Sequence, residues 1–294
     1  LHNRMEKTVL FPRKRETGEI YQDALRFLHS ERKPLARIIA VYVLPFLLIY
    51  AAAQVFMQMK LAGSADLMRE MEPEKLIKEI GPVYKNLMIT LAFYLFVQSL
   101  YMAAIFSYVQ VYVARGKGGF TSGEVITLLS SNALLALGAS LGVAFISFSG
   151  LFLLIIPGLI LANSLSLTPF IAIFERKGIP FALLRSFLLT SKAWWHTLVL
   201  NLTGILIIWG VNILLTLPLS AMLTASGSAS PASSAAAPAP AVTAAALPTE
   251  LWQWIALGAA LAISSLFAIL PFLFQAFQYF NLTARIQKPG EDGH

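Results

Sequence analysis

Six stretches of this chain stay apolar for about 20 residues, the length that crosses ~30 Å of hydrocarbon at ~1.5 Å per residue. They run 36–59, 86–113, 132–149, 151–173, 196–219 and 252–282. Backbone groups in lipid must bond within their own segment, so each stretch predicts a transmembrane helix. The fold class that follows is all-α, a polytopic membrane protein of six spans. Only SFSGLF separates the third run from the fourth, which predicts a tight hairpin turning at Ser149-Gly150. The sixth run is overlong and predicts a kink at Pro271, where a helix loses a donor and the ring crowds the preceding turn. Pro45, Pro157 and Pro169 predict similar irregularities.

Between the apolar runs, the pattern changes to a helical alternation. FERKGIPFALLRSFLLTSKAWW (174–195) sets Ile179, Leu183, Leu184, Phe187 and Leu188 on one face, with Arg185 and Lys192 at its rim and Pro180 suited to a first turn. This is the pattern of a helix lying in the membrane interface. Ahead of the third run, Thr121 and Glu124 have capping-box spacing, and Phe120 and Val125 that of a hydrophobic staple. Ahead of the first, residues 1–34 form a polar segment in which Ile20, Ala24, Phe27 and Leu28 share a face. The chain thus reads as three units, each an amphipathic helix followed by a span out and a span back. Identity between units is confined to Leu25-Arg26 and Lys33 against Leu184-Arg185 and Lys192.

Two connections lie on the other side. The segment 60–85 carries Leu67, Met68, Met71, Leu76, Ile77, Ile80 and Val83 at near-helical spacing, with Glu74–Lys78 and Lys75–Glu79 as i,i+4 pairs. It reads as a broken amphipathic helix on the outer surface. The Ala/Pro/Ser tract 224–250 has few large apolar side chains to offset its ordering entropy and reads as a flexible external loop.

Composition agrees with the pattern. With 57% hydrophobic and 13% charged residues in 294, this is not an ordinary soluble domain. The charge of +7 would suggest nucleic acid in a soluble protein, but here its placement along the chain matters more than its sum. Of the 22 Lys and Arg, all but Lys60, Arg69, Lys75, Lys78 and Lys85 fall on one side of the six-span topology. That side is cytoplasmic by the positive-inside rule, which places both termini inside, as in a bacterial cytoplasmic membrane. YAAAQ at 50–54 resembles a signal-peptidase site, but the long polar region before it and the full-length apolar run are those of a span. The first residue is Leu1, so a non-standard start and a start at Met5 both stay open.

The run IIPGLILANSLSLTPFIAIFERKGIPFALLRSFLLTSKAWW resembles the signature of the membrane-domain family named after glycerophosphoryl diester phosphodiesterase. The resemblance rests on Pro157-Gly158, Pro169, Glu175, Gly178, Arg185-Ser186, Leu189-Thr190, Lys192 and Trp194, and continues in QYFNLTARIQKPG near the C-terminus. It covers roughly 120–289. It departs at Ala193, where the family favours glycine, and at Leu184, where it favours a basic pair. The resemblance implies an integral membrane protein without an assigned activity. The namesake's catalysis resides in a separate soluble domain, which these residues do not contain.

A search for chemistry returns few candidates. All 15 acidic residues fall in surface or boundary segments, whereas ion-coupled transporters usually keep an ionisable group within a span. His2, His29, His196 and His294 have no ligand spacing, the chain has no cysteine, and ARGKGG at 114–119 lacks the phosphate-loop spacing. No cofactor, metal or nucleic acid is expected. Polar residues remain within the spans, and the NSLSLTP run stands out. Asn163, Ser164, Ser166 and Thr168 precede Pro169, which frees a carbonyl one turn back, and Asn201 adds an amide from the fifth span. They bridge helices or line a polar path.

The leading expectation is a non-catalytic membrane protein, a scaffold or accessory subunit that organises lipids or a partner complex. Its basic collar of Arg26, Lys33, Arg115, Lys117, Arg185 and Lys192 would contact anionic headgroups. The alternative is a transporter or lipid-handling protein with a polar cavity near Asn163–Thr168. An enzyme would need a convergent nucleophile and base, which the sequence does not display.

Overall fold

The structure, a computed structural model, describes residues 11, 13–70, 73–225 and 251–286, without the side chains of 60–70, 73–80, 83, 153, 220 and 222–225. Among these residues every regular element is helical: α1 (Thr17–Ser30), α2 (Arg32–Ile38), a π-helical turn (Ile39–Val43), α3 (Leu44–Glu70), α4 (Pro73–Arg115), α5 (Ser122–Leu153), α6 (Ile155–Ser164), α7 (Thr168–Glu175), α8 (Ile179–Ser191), α9 (Trp194–Ala225), α10 (Leu251–Leu266) and α11 (Ile269–Ile286). Six helical runs are long and apolar enough to cross a membrane: Arg32–Met59, Tyr84–Arg115, Ser122–Phe152, Ile155–Glu175, Trp194–Leu219 and Leu251–Ile286. The protein is an all-α polytopic membrane protein, as the apolar pattern requires.

Prolines set the irregularities. The π-turn 39–43 closes on a bond from the Leu44 N–H to the Ile39 carbonyl. It sits just before Pro45, which has no N–H for the Val41 carbonyl and would crowd it in a regular helix. The fourth span breaks at 165–167 and restarts as α7, with Pro169 in the first turn, where a missing N–H costs nothing. The sixth breaks at 267–268, one turn ahead of Pro271. Pro157 falls in the first turn of α6 and disturbs nothing.

The hairpin between the third and fourth spans turns later than the sequence suggests. α5 runs through Ser149-Gly150 to Leu153, and a single residue, Leu154, at φ −161° and ψ 141°, reverses the chain. Gly150 serves instead for close approach. A Cβ on it would lie 3.1 Å from the Cα of Gly158, and one on Gly158 would lie 2.5 Å from the Cα of Leu151. Two glycines therefore let the hairpin's backbones touch.

The chain divides into two compact units. The first comprises Leu1–Pro45, Leu95–Leu206 and Ala268–His294. Its core is aromatic: Phe11 stacks on Phe277 at 4.5 Å and meets Phe27 edge-on at 5.2 Å, and Phe106 meets Phe170 at 4.9 Å. The second comprises Phe46–Tyr94 and Ile207–Phe267. Within it, Asn212 Nδ2 donates to Ser264 Oγ at 3.3 Å, joining α9 to α10, and Gly258 of α10 lies against Val55 of α3.

The three-unit reading holds in two of its units. α1, with Ile20, Ala24 and Phe27 buried, turns at Glu31 into the first span, and α8 turns at Lys192 into α9. At one constant offset, buried Asp23, Phe27, Glu31 and Ile38 correspond to buried Ala182, Ser186, Thr190 and Thr197. The matching Leu25 and Leu184 are both exposed. In the middle unit there is no separate surface helix. Thr121 and Glu124 form the capping box and α5 then continues unbroken into the span. The segment 60–85 is carried by α3, which runs on to Glu70, and by α4, which starts at Pro73. Its side chains from 60 to 80 lie outside the described residues, as do residues 226–250 of the Ala/Pro/Ser tract.

Candidate functional site

The buried polar chemistry of the first unit gathers where α1, the C-terminal ends of α4, α7 and α11, and the start of α5 converge. Lys117 Nζ lies 4.0 Å from Glu31 Oε1, and Tyr108 Oη donates to Glu31 Oε2 at 2.6 Å. Arg115 pairs with Glu124 at 2.6 Å. Arg176 Nη2 donates to Asn132 Oδ1 at 2.8 Å, and Asn132 Nδ2 donates to Ser107 Oγ at 2.8 Å. Both described ends of the chain join this end. Arg285 Nη2 donates to the Arg15 carbonyl at 2.7 Å, and the Arg15 N–H donates to Asn281 Oδ1 at 2.8 Å.

Arg15 is the deepest charge among the described residues. Its side chain is 1% exposed, and Nε donates to Asp23 Oδ2 at 2.8 Å. Nη1 donates to the Phe11 carbonyl at 2.7 Å, and the guanidinium lies 5.0 Å from the Phe277 ring centre. From Asn281 the network continues to Gln278 at 3.2 Å and from Gln278 to Thr197 at 3.0 Å. Sequence reasoning passed over Arg15 because it sits in a basic stretch that reads as solvated. The available signal was the polar face Gln278, Asn281 and Arg285 on a largely apolar helix.

The six collar residues divide by partner. Arg115, Lys117 and Arg185 each face a carboxylate, Arg185 Nε lying 3.5 Å from Glu175 Oε1. Arg26 is 71% exposed at 3.6 Å from Asp23. Lys33 and Lys192 are exposed and make no ion pair among the described residues. The Glu175–Arg185 pair forms because the chain folds back between α7 and α8. Arg176 (φ 51°) and Gly178 (φ 91°) take left-handed backbone there, and Tyr279 Oη donates to the same Glu175 oxygen at 3.0 Å.

The apolar face of α8 divides between the exterior and α5. Ala182, Ser186, Leu189 and Thr190 are buried, while Leu184, Phe187 and Leu188 point outward. Ile179 packs onto Gly138 and, with Leu183, onto Gly142 of α5. Three of the four buried residues, Ala182, Ser186 and Thr190, are small or polar, as close packing between membrane helices favours.

The intramembrane polar residues come together in part. Asn201 Nδ2 donates to Asn163 Oδ1 at 2.9 Å, and Asn163 Nδ2 donates to the Trp194 carbonyl at 3.2 Å. At the proline break, Thr168 N–H bonds the Leu165 carbonyl, leaving the Ser164 carbonyl to accept Ser186 Oγ at 2.9 Å. Ser166 Oγ and Thr168 Oγ1 are buried without a hydrogen-bond partner in the structure. Asn163 and Asn201 thus act as a helix bridge. Asn201→Leu will lower stability by about 1 kcal/mol, and adding Asn163→Leu will cost less than the sum of the single changes, as unfolding in mixed micelles will measure.

Among the described residues, no three His, Cys, Asp or Glu side chains gather as a metal site requires. Set against family models, curated proteins and solved structures, the chain matches none of them.

Proposed function

We propose that this protein is a non-catalytic integral membrane protein whose basic end organises anionic lipid headgroups, by itself or as an accessory subunit of a membrane complex. The observation that carries the reading is the division of the collar. Lys33 and Lys192 are exposed without an ion pair among the described residues, and Arg26, 71% exposed, shares Asp23 with Arg15, whereas Arg115, Lys117 and Arg185 each face a carboxylate. Exposed Leu25 adjoins Arg26 on α1, and exposed Leu184, Leu188 and Trp195 flank Lys192 in sequence, so cation and apolar surface are presented together, as a lipid interface requires. In this reading the basic end faces the cytoplasm of a bacterial cell, and the chain belongs with the membrane-domain family that 157–194 and 278–290 resemble.

Lipids extracted with the purified protein test the reading. The expected result is enrichment of anionic over zwitterionic phospholipid relative to the host membrane, lost in Lys33→Gln/Arg26→Gln/Lys192→Gln. Bulk lipid composition around the wild-type protein would overturn it. Reporter fusions after Lys117 and Arg285 are expected to score cytoplasmic, and fusions within 224–250 external.

A second reading, a transporter or lipid-handling protein, draws on Ser166 and Thr168, whose buried hydroxyls lack partners at the proline break. Transport that is lost in Thr168→Val with folding intact would favour it.

A further inference from the structure

A cavity of about 260 Å³ lies where the end of α8 and the start of α9 meet the last turn of α11, lined by Leu189, Lys192, Ala193, Leu282, Arg285 and Ile286. Two of these six residues are cations, and neither makes an ion pair among the described residues. Arg285 is held by neutral oxygens. Its Nε donates to Asn281 Oδ1 at 3.1 Å and its Nη2 to the Arg15 carbonyl at 2.7 Å. These bonds fix the guanidinium in place, and no carboxylate among the described residues compensates its charge. The Lys192 side chain is exposed, on the residue that ends α8.

The backbone adds to this charge. α9 is 32 residues long and begins at Trp194, so its first N–H groups and the positive end of its dipole lie next to Lys192 and Ala193. The remaining lining is apolar, from Leu189, Ala193, Leu282 and Ile286. An apolar track also leads away from the rim. Trp195, Val199, Leu202 and Leu206 recur on one exposed face of α9 inside its membrane-spanning stretch. A pocket with two cations, one of them held in place, followed by an apolar stripe entering the bilayer, suits an anion that carries a hydrocarbon chain.

We infer that this cavity binds a phosphate group, through Lys192 and Arg285, with a phospholipid as the expected source and free phosphate as the other. The inference rests on the lipid reading above and narrows it from a diffuse collar to one stoichiometric site. Ala193 contributes by its small size. It is 8% exposed, and a longer side chain there would occupy the cavity without altering any charge.

The test uses the full-length protein in detergent and in nanodiscs, with phosphatidylglycerol, phosphatidylcholine and inorganic phosphate as probes. Native mass spectrometry and thermal unfolding are the readouts. The expected result is one tightly retained phosphatidylglycerol per chain and a raised Tm, with no comparable effect of phosphatidylcholine. Lys192→Gln should weaken binding about fivefold, the effect of one basic side chain at an anionic leaflet. Ala193→Leu should abolish the stoichiometric lipid with its charge unchanged, while melting cooperatively without lipid. Arg285→Lys keeps the charge and loses the fork held by Asn281, and should also weaken binding. A Tm rise with millimolar inorganic phosphate equal to that with lipid, removed by Ala193→Leu, would support the phosphate site and assign it to the free anion. Unchanged lipid affinity in folded Ala193→Leu would overturn the cavity site. If that variant still enriched anionic lipid in bulk, the collar would stand and the cavity alone would fail. Absence of anionic lipid from the wild-type protein, with no response to either phosphate probe, would overturn both.

Discussion

Asp23→Ala will destabilise the protein by about 3–5 kcal/mol, the cost of removing one partner from a buried ion pair. The magnitude comes from Arg15, not from Asp23 itself. Arg15 is 1% exposed, and the carboxylate 2.8 Å from its Nε is a counter-charge that supports this depth. Bonds to the carbonyls of Phe11 and Arg13 satisfy hydrogens without neutralising charge. Equilibrium unfolding in mixed micelles provides the measurement. Asp23→Asn keeps an acceptor and should lose less, while Arg15→Met with Asp23→Leu should recover most of the stability by removing both charges. A loss under 1 kcal/mol in Asp23→Ala would mean that α1 is not docked through this pair. Because Arg15 also meets Asn281 and Arg285, the same variant should free the first helix from α11 and raise amide exchange across Thr17–Ser30.

What the sequence disclosed follows from what lipid demands. The six spans were legible because a hydrocarbon layer requires ~20 apolar residues with every backbone group bonded internally. Pro45, Pro169 and Pro271 were legible because a missing N–H acts locally. The inward face of α8 was not. Apolar periodicity identifies the buried face of a helix in water, but Leu184, Phe187 and Leu188 are exposed here, and Ala182, Ser186 and Thr190 are buried. Arg15 was illegible for a different reason. Its partner Asn281 is 266 positions away, and only the folded chain distinguishes it from exposed Arg13 and Lys14 nearby. Of the collar, the charges were legible and their pairing was not. Glu175 meets Arg185 only through the fold-back between α7 and α8, and Glu31 meets Lys117 only through the tertiary structure.

Gly150 was misread as a turn because glycine has two uses, positive φ and missing volume, and a sequence does not say which applies. Here it is volume, and Gly158 is where the effect of filling it should be largest. A Cβ on Gly158 would lie 2.5 Å from both Cα and N of Leu151 and 2.8 Å from its Cβ. Those atoms belong to the backbone of α5 or adjoin it, and they cannot swing aside as a leucine tip can. The two arms of the hairpin would have to separate, exchanging close packing for a gap along α5 and α6. Gly158→Ala is therefore expected to cost about 1–3 kcal/mol, the range for overpacking, and Gly158→Leu more. The other glycines grade the prediction. At Gly138 the obstacle is the Ile179 Cδ1 tip at 2.6 Å, which can change rotamer, so Gly138→Ala should cost less. At Gly142 the neighbours lie at 3.6 and 3.7 Å, an ordinary contact, so Gly142→Ala should be nearly neutral. Gly210 has nothing within 4 Å, and alanine there should add about 0.5–1 kcal/mol by reducing the freedom of the unfolded chain. Stability falling in the order Gly210→Ala, Gly142→Ala, Gly138→Ala, Gly158→Ala would establish that the hairpin is held by backbone contact. Equal stability of Gly158→Ala and Gly142→Ala would show that its arms stand apart.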